Sequence, residues 1–340
     1  MTIKKPQTAT LIDMFSEGYA AVNRRPWLVL IPILLNVYIW FGTQLSFAPL
    51  INDLYTLMRA NSGTTEQSSL PAQSSEQLRE LSRVDMRQDL ARLNFIPTLT
   101  MYMIAPGDAA GSSGGVPLPQ YVPPQIIPDR HDTIEVSGVG GALLAFLLLN
   151  ALALPLSAVF LTQLAEAVRG DPNAPATGVR RAWRAMLAIL GCVAAIVGVG
   201  LALGLPFLFL CAMLVYFSPA LGLFMLGMLL ILVFWISIYL GFANEAIVIS
   251  GIGPLRALHA SFNIVRRNFW ATLGFLAISY LITVGSGVLW LNLAQQSTVG
   301  LIVAIAGSAY LGSGLLAARM AFYRERLRRW QGAVAPARPS

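Results

Sequence analysis

From Ala185 to Ala243 the chain runs for 59 residues without a single charge. A membrane-crossing helix needs about 20 predominantly apolar residues, so this stretch holds more than one crossing. A soluble domain would have to hide the whole run, yet only 11% of the 340 residues are charged, against about 25% in a typical soluble domain. The sequence therefore describes a polytopic membrane protein. Phe217-Ser218-Pro219 divides the run into spans 185–217 and 220–243, with Pro206 as a bend in the first. Four more spans are expected at 27–47, 139–164 (with Pro155 inside it), 269–291 and 299–318. The predicted fold is an all-α bundle of six transmembrane helices in a single membrane domain, 1–340.

Charge orients these spans, because lysine and arginine collect on the cytoplasmic side. Segments 1–26, 165–184, 244–268 and 319–340 hold 17 of the 23 basic residues. Loop 48–138 holds the other six, against ten of the 16 acids. Cutting 185–243 into three spans would put the basic segments around it on opposite sides. Both termini are thus expected in the cytoplasm. The lead into the first span contains acids and no small-x-small cleavage site, which reads as an anchor rather than a removed signal peptide. Only Lys4 and Lys5 are lysines. That bias suits a GC-rich bacterial genome, and the expected location is the bacterial cytoplasmic membrane.

One string opens every odd-numbered span: VNRRPWLVLIPIL at 22–34, VRRAWRAMLAIL at 179–190 and VRRNFWATLGFL at 265–276. A generic cause exists, since arginines snorkel to headgroups and aromatics sit in the interfacial belt. Arg328-Arg329-Trp330 obeys that rule just past the last span. The lead-in residues go further. Thr10 and Asp13 are spaced as a capping box, and Leu11, Phe15, Tyr19 and Val22 share one helical face. Before the third copy, Pro254 suits a first helical position, with Leu255, Leu258, Phe262 and Val265 in a stripe. The second copy keeps only Val179, Trp183 and Met186 at that spacing. The expected architecture is three parallel units, each an amphipathic helix on the inner surface, an arginine turn and a transmembrane hairpin. Arg24, Arg25, Arg180, Arg181, Arg266 and Arg267 are then candidate contacts for anionic lipid headgroups at the cytoplasmic face. The alternative is that they only orient the chain.

The stretch GPLRALHASFNIVRRNFWATLG resembles the G-x-ALxxSxxLVRxxFW signature of bacterial six-helix membrane proteins related to the glycerophosphoryl diester phosphodiesterase membrane domain. The likeness covers 251–276 well, the other two copies weakly and the outer loop not at all. It implies six spans in the inner membrane. This chain has no room for the soluble phosphodiesterase barrel sometimes fused to that group, and the resemblance carries over no catalytic residue.

Catalytic constellations are not evident. His131 is expected outside and His259 inside, too far apart to share a metal or a triad. GSSGG at 111–115 echoes an intramembrane serine protease motif but falls in a loop. Cys192 and Cys211 lie in apolar runs, where cysteine acts as a small hydrophobe. The expectation is a non-enzymatic protein with no cofactor, metal or nucleic-acid partner. Ion-coupled carriers place ionisable residues inside the membrane, and the span cores have none. The candidate buried polar cluster is Asn36, Asn150, Asn244, Glu245 and Tyr280, with Glu245 expected to pair with Arg266 or Arg267. Gly191, Gly198, Gly200, Gly204, Gly307, Gly312 and Gly314 suit close helix packing. Loop 48–138, with a helix expected over 75–93, is a candidate protein-partner site or a cap on the bundle. These features favour a scaffold or partner-binding subunit. The alternative is a permease or export component for a small molecule or lipid, which a cavity lined by Asn36, Asn150 or Tyr280 would favour.

Overall fold

The computed structural model describes residues 10–41, 44–46, 133–136, 138–170 and 178–334. Helix α1, Leu11–Arg24, begins at the predicted capping box: the Thr10 amide donates to Asp13 at 2.7 Å, and the Asp13 amide donates to the Thr10 hydroxyl at 3.3 Å. The hydrogen bonds from the Thr10 amide and hydroxyl hold the Asp13 carboxyl below its ordinary pKa. Arg25 ends the helix, a 3-10 turn covers Pro26–Val29, and α2 runs over Leu30–Phe41. The first apolar helix is therefore shorter than the expected span 27–47. Gln44–Ser46 instead forms a strand, β1, which pairs in parallel with β2, Thr133–Glu135, Gln44 opposite Thr133. The described residues, otherwise mainly helical, thus contain a two-stranded ribbon that no sequence signal announced.

The remaining helices are α3 (Gly138–Arg169), α4 (Gly178–Phe217), α5 (Pro219–Leu240), α6 (Ala243–Ser250), α7 (Pro254–Arg267), α8 (Phe269–Gln296) and α9 (Thr298–Val334). Ser218 caps α5 with Pro219 in its first turn, so the uncharged run breaks where proline removes an N–H donor. Proline opens α7 in the same way. Among the described residues five helices are long and apolar enough to cross a membrane: Ala151–Arg169, Gly178–Leu214, Ala220–Ser250, Phe269–Ala294 and Thr298–Gln331. A shorter apolar helix covers Pro26–Val37. The expected basic tail is helical through Val334, a continuation of α9.

The repeat is visible in the first and third copies, each a helix, a turn at Arg25 or Asn268, and a second helix. In the second copy α4 is continuous from Gly178, and among the described residues no separate amphipathic helix or turn precedes it. Its Arg180 and Arg181 stand in the first turn of a helix, whereas Arg24, Arg266 and Arg267 stand in a last turn. Cations are favoured only at the latter end.

Contacts divide the chain into two compact units. The first comprises Met1–Leu28, Ala158–Ile282 and Ser313–Ser340. Its centre is residues 313–323 of α9, every one of them buried. An added Cβ on Gly18 would overlap the Ala318 backbone, and one on Gly314 would overlap the Tyr19 ring. Such close approach is what small residues permit between membrane helices. Phe15 stacks on Phe275 at 5.0 Å, and Phe275 on Phe322 at 4.8 Å. The apolar face of α1 is therefore covered by protein, not left for a lipid surface as expected.

Helix α7 departs from its predicted stripe too. Its buried residues are Ala257, Ala260, Ser261, Ile264 and Val265, while Leu255 is 70% and Phe262 41% exposed. Over its first half small residues face the protein while Leu255 and, further on, Phe262 face away; at its end Ile264 and Val265 are buried, Val265 as the stripe predicts. Three of the expected packing glycines, Gly198, Gly200 and Gly204, would meet nothing with an added Cβ, whereas one on Gly191 would touch Pro254 at 3.1 Å.

The second unit comprises Val29–Ser157 and Thr283–Gly312. Leu291, Ala294, Leu301, Ala304 and Ile305 form its core with Ile33 and Trp290. Gly307 lies directly against the Trp290 ring.

Candidate functional site

Two carboxylates organise the first unit. Helix α3 ends on Gly170, whose φ of 68° is left-handed and whose amide donates to the Glu166 carbonyl at 3.2 Å. Helix α6 ends the same way on Gly251, φ 66°, bonded to the Ile247 carbonyl at 2.8 Å. Only glycine takes this conformation at little cost. Each of these two segments carries a glutamate, an alanine and a β-branched residue: Glu166-Ala167-Val168 and Glu245-Ala246-Ile247.

Glu166 is buried and draws two copies of the repeated string together. Arg25 Nη1 stands 3.4 Å from one of its oxygens and Arg181 Nη1 4.0 Å from the other. Arg25 also donates to Gln163 at 3.1 Å. Arg24 donates to the Ala167 carbonyl at 3.4 Å, and Arg324 donates to the Val168 carbonyl and pairs with Glu17. The last-turn carbonyls of α3, which have no partner within the helix, are thus capped by arginines of α1 and α9.

Glu245 is 1% exposed, and its partner is Arg319, not the expected Arg266 or Arg267. Arg319 Nε lies 2.9 Å from Glu245 Oε1, an ion pair rather than an aligned hydrogen bond. The same guanidinium donates to the Gly241 carbonyl and lies 5.2 Å over the Phe242 ring. Arg267 lies 5.3 Å over the Trp330 ring, and Arg266 is exposed. Arg169 donates to the Val248 carbonyl.

The five expected polar residues do not form one cluster. Asn36 is fully buried and donates to Ser308 at 3.3 Å within the second unit. Tyr280 is 61% exposed, Asn244 is half-buried, and the side chain of Asn150 lies outside the described residues. His131, the GSSGG segment and the helix expected over 75–93 also lie outside them. His259 is exposed, and both cysteines are buried and free.

Two crevices open in the first unit, and both are lined by arginine. One, about 490 Å3, is bounded by Arg24, Arg25, Arg169, Arg324 and Arg328 together with Glu17 and Glu166, so two of its five positive charges are answered by acids in its own lining. The other, about 510 Å3, is bounded by Arg180, Arg181 and Arg184 and by apolar residues that include Ala185, Ile247, Val248 and Ile252; among the described residues no acid lines it. Neither crevice is lined by Asn36, Glu245 or Tyr280. Arg184 was not singled out from the sequence, although it falls one helical turn after Arg180 and so shares its face. Glu166, Arg319 and Arg324 carried no local signal beyond their charge.

The chain matches no protein-family model, no curated protein and no solved structure.

Proposed function

We propose that this chain is a six-span protein of the bacterial cytoplasmic membrane with both termini inside, acting without catalysis as a scaffold or partner-binding subunit. The sixth span is the short helix Pro26–Val37, extended by its flanking residues. The charge asymmetry between loop 48–138 and the basic segments supports this orientation. So does the likeness of 251–276 to six-helix bacterial membrane proteins. The observation that carries the non-transporting role is the Glu245–Arg319 pair. The most deeply buried carboxylate among the described residues is tied to an arginine and lines neither arginine crevice. A carrier would aim such a group at a substrate path.

Two measurements test the two halves. Reporter fusions after Gly63, Gly170, Gly253 and Ala333 should read outside, inside, inside and inside; an outside signal at Gly253 breaks the six-span topology. Proteoliposomes of the purified chain should pass ions, small solutes and labelled lipid no faster than empty vesicles. Flux above that background transfers the assignment to a permease or lipid exporter.

A further inference from the structure

The two arginine-lined crevices differ in a way that separates structure from recognition. In the smaller, Arg24, Arg25 and Arg324 are engaged by Glu166, Glu17 and the carbonyls of Ala167 and Val168. Those guanidiniums hold the helices together. In the larger, Arg180 and Arg184 are exposed and make no hydrogen bond or ion pair to a described residue, and Arg181 reaches Glu166 only at 4.0 Å. Three cations fall within five residues of α4, Arg184 one turn from Arg180, and repel one another, so the site is charged before any ligand arrives. The rest of its lining is mainly apolar: Ile252 and Ala188 are half-exposed, beside the buried Ile247 and Val248 of α6.

We infer that this crevice binds one anionic phospholipid, its phosphate held by Arg180, Arg181 and Arg184 and the start of its acyl region lying against Ile247, Val248 and Ile252. Guanidinium groups offer paired N–H donors that match the oxygens of a phosphate, a geometry lysine does not reproduce. A free phosphate would use the arginines and leave the apolar wall in water; a phospholipid satisfies both. Trp183 and Leu187 on the same helix are 57% and 50% exposed, so apolar side chains continue beyond the crevice. A volume of about 510 Å3 holds a headgroup and its first methylenes, not a whole lipid. The lipid is therefore gripped at its head while its tails remain in the bilayer. This inference needs the membrane placement proposed above but not the scaffold role.

The test uses the full chain in nanodiscs of phosphatidylcholine containing a minor fraction of phosphatidylglycerol, with lipid retained on extraction counted by native mass spectrometry. The natural chain should retain one phosphatidylglycerol in preference to phosphatidylcholine. Arg180→Gln with Arg184→Gln should lower that retention roughly tenfold or more, two charges near an anionic headgroup being removed. Arg180→Lys with Arg184→Lys should lower it less. Arg266→Gln with Arg328→Gln removes the same charge elsewhere and should leave retention unchanged. Because Arg184 is exposed, the single Arg184→Gln variant keeps the test readable if the double variant misfolds.

Unchanged retention in both the single and the double glutamine variants overturns the site. Retention lost equally in the Arg266 and Arg328 control overturns it as well, since diffuse charge would then suffice. A third arm adds inorganic phosphate to lipid-free detergent samples: phosphate displacing phosphatidylglycerol at millimolar concentration, with the same dependence on Arg180 and Arg184, makes this a free-anion site and overturns the lipid assignment. Alkaline carbonate extraction of the source membranes separates failures. A chain released from membranes fails the membrane placement, whereas a chain that stays in them and holds no phosphatidylglycerol fails only the site.

Discussion

Helix α9 and the α4–α5 hairpin are both apolar enough to cross a membrane, but they have opposite surroundings. Of an 18-residue apolar stretch in the α9 span 61% is buried, against 11% for the corresponding stretches of the spans in α4 and α5. The hairpin is the more apolar of the two, with Leu203 and Leu223 71% and 66% exposed, whereas buried α9 carries Ser308, Ser313 and Arg319. In a soluble protein the order would be reversed. Here the surroundings are themselves apolar, so the most hydrophobic helices have least reason to be covered. Polar groups are gathered where other protein groups can satisfy them. Glu245 with Arg319 and Asn36 with Ser308 are the products of that sorting.

The largest effect should come from the buried side of this contrast. Arg319→Met leaves Glu245 as an uncompensated buried charge and should cost about 3–5 kcal/mol in a detergent denaturation measurement. Adding Glu245→Leu to it should restore most of that loss, because a paired charge and an apolar pair of similar volume are close in energy. If the single variant is as stable as the natural chain, the pair is not what holds α6 to α9.

On the exposed side, Leu203→Arg would be nearly silent in a soluble protein. At the centre of a membrane helix it should cost about 2.5–3.5 kcal/mol of apparent insertion free energy, read as the inserted fraction in a translocation assay. A silent outcome would mean that α4 faces water.

Glycine sharpens the comparison next. Gly18→Ala and Gly314→Ala should each cost about 1–3 kcal/mol through overpacking against Ala318 and Tyr19. Gly200→Ala and Gly204→Ala, which meet open space, should be neutral or stabilise the helix by up to about 1 kcal/mol. Melting temperatures of the four variants in one detergent decide it. Equal losses at all four would place another helix against α4 that the described residues do not supply.

The smallest effect belongs to the cap of α1. Thr10→Ala should cost about 1 kcal/mol, seen as faster amide exchange in residues 11–14 only. The folded carboxyl of Asp13 has a lowered pKa, so its contribution is fully present above the ordinary aspartate value near 3.9 and is lost as pH falls through the lower folded value. Protection in this turn, taken relative to the intrinsic exchange rate at each pH, should therefore fall on acidification in the natural chain and be less pH-dependent in Asp13→Asn.

What the sequence determined by itself was local. The Thr10–Asp13 box, the break at Ser218-Pro219 and the start of α7 at Pro254 each depend on hydrogen bonds and ring geometry within four residues. The length of the uncharged run determined that membrane helices must exist. The tertiary structure alone decided which residues meet. Glu245 finds Arg319 rather than Arg266 or Arg267, and Glu166 unites Arg25 with Arg181 across more than a hundred residues of chain. It also decided which face of α7 is buried, and there the apolar stripe was right at Val265 and wrong at Leu255 and Phe262. The physical reason is shared: an apolar side chain gains little by choosing protein over lipid, so hydrophobic periodicity finds the helices but not their neighbours. The neighbours are set by close-packed small residues and by the few charges that cannot be left unpaired.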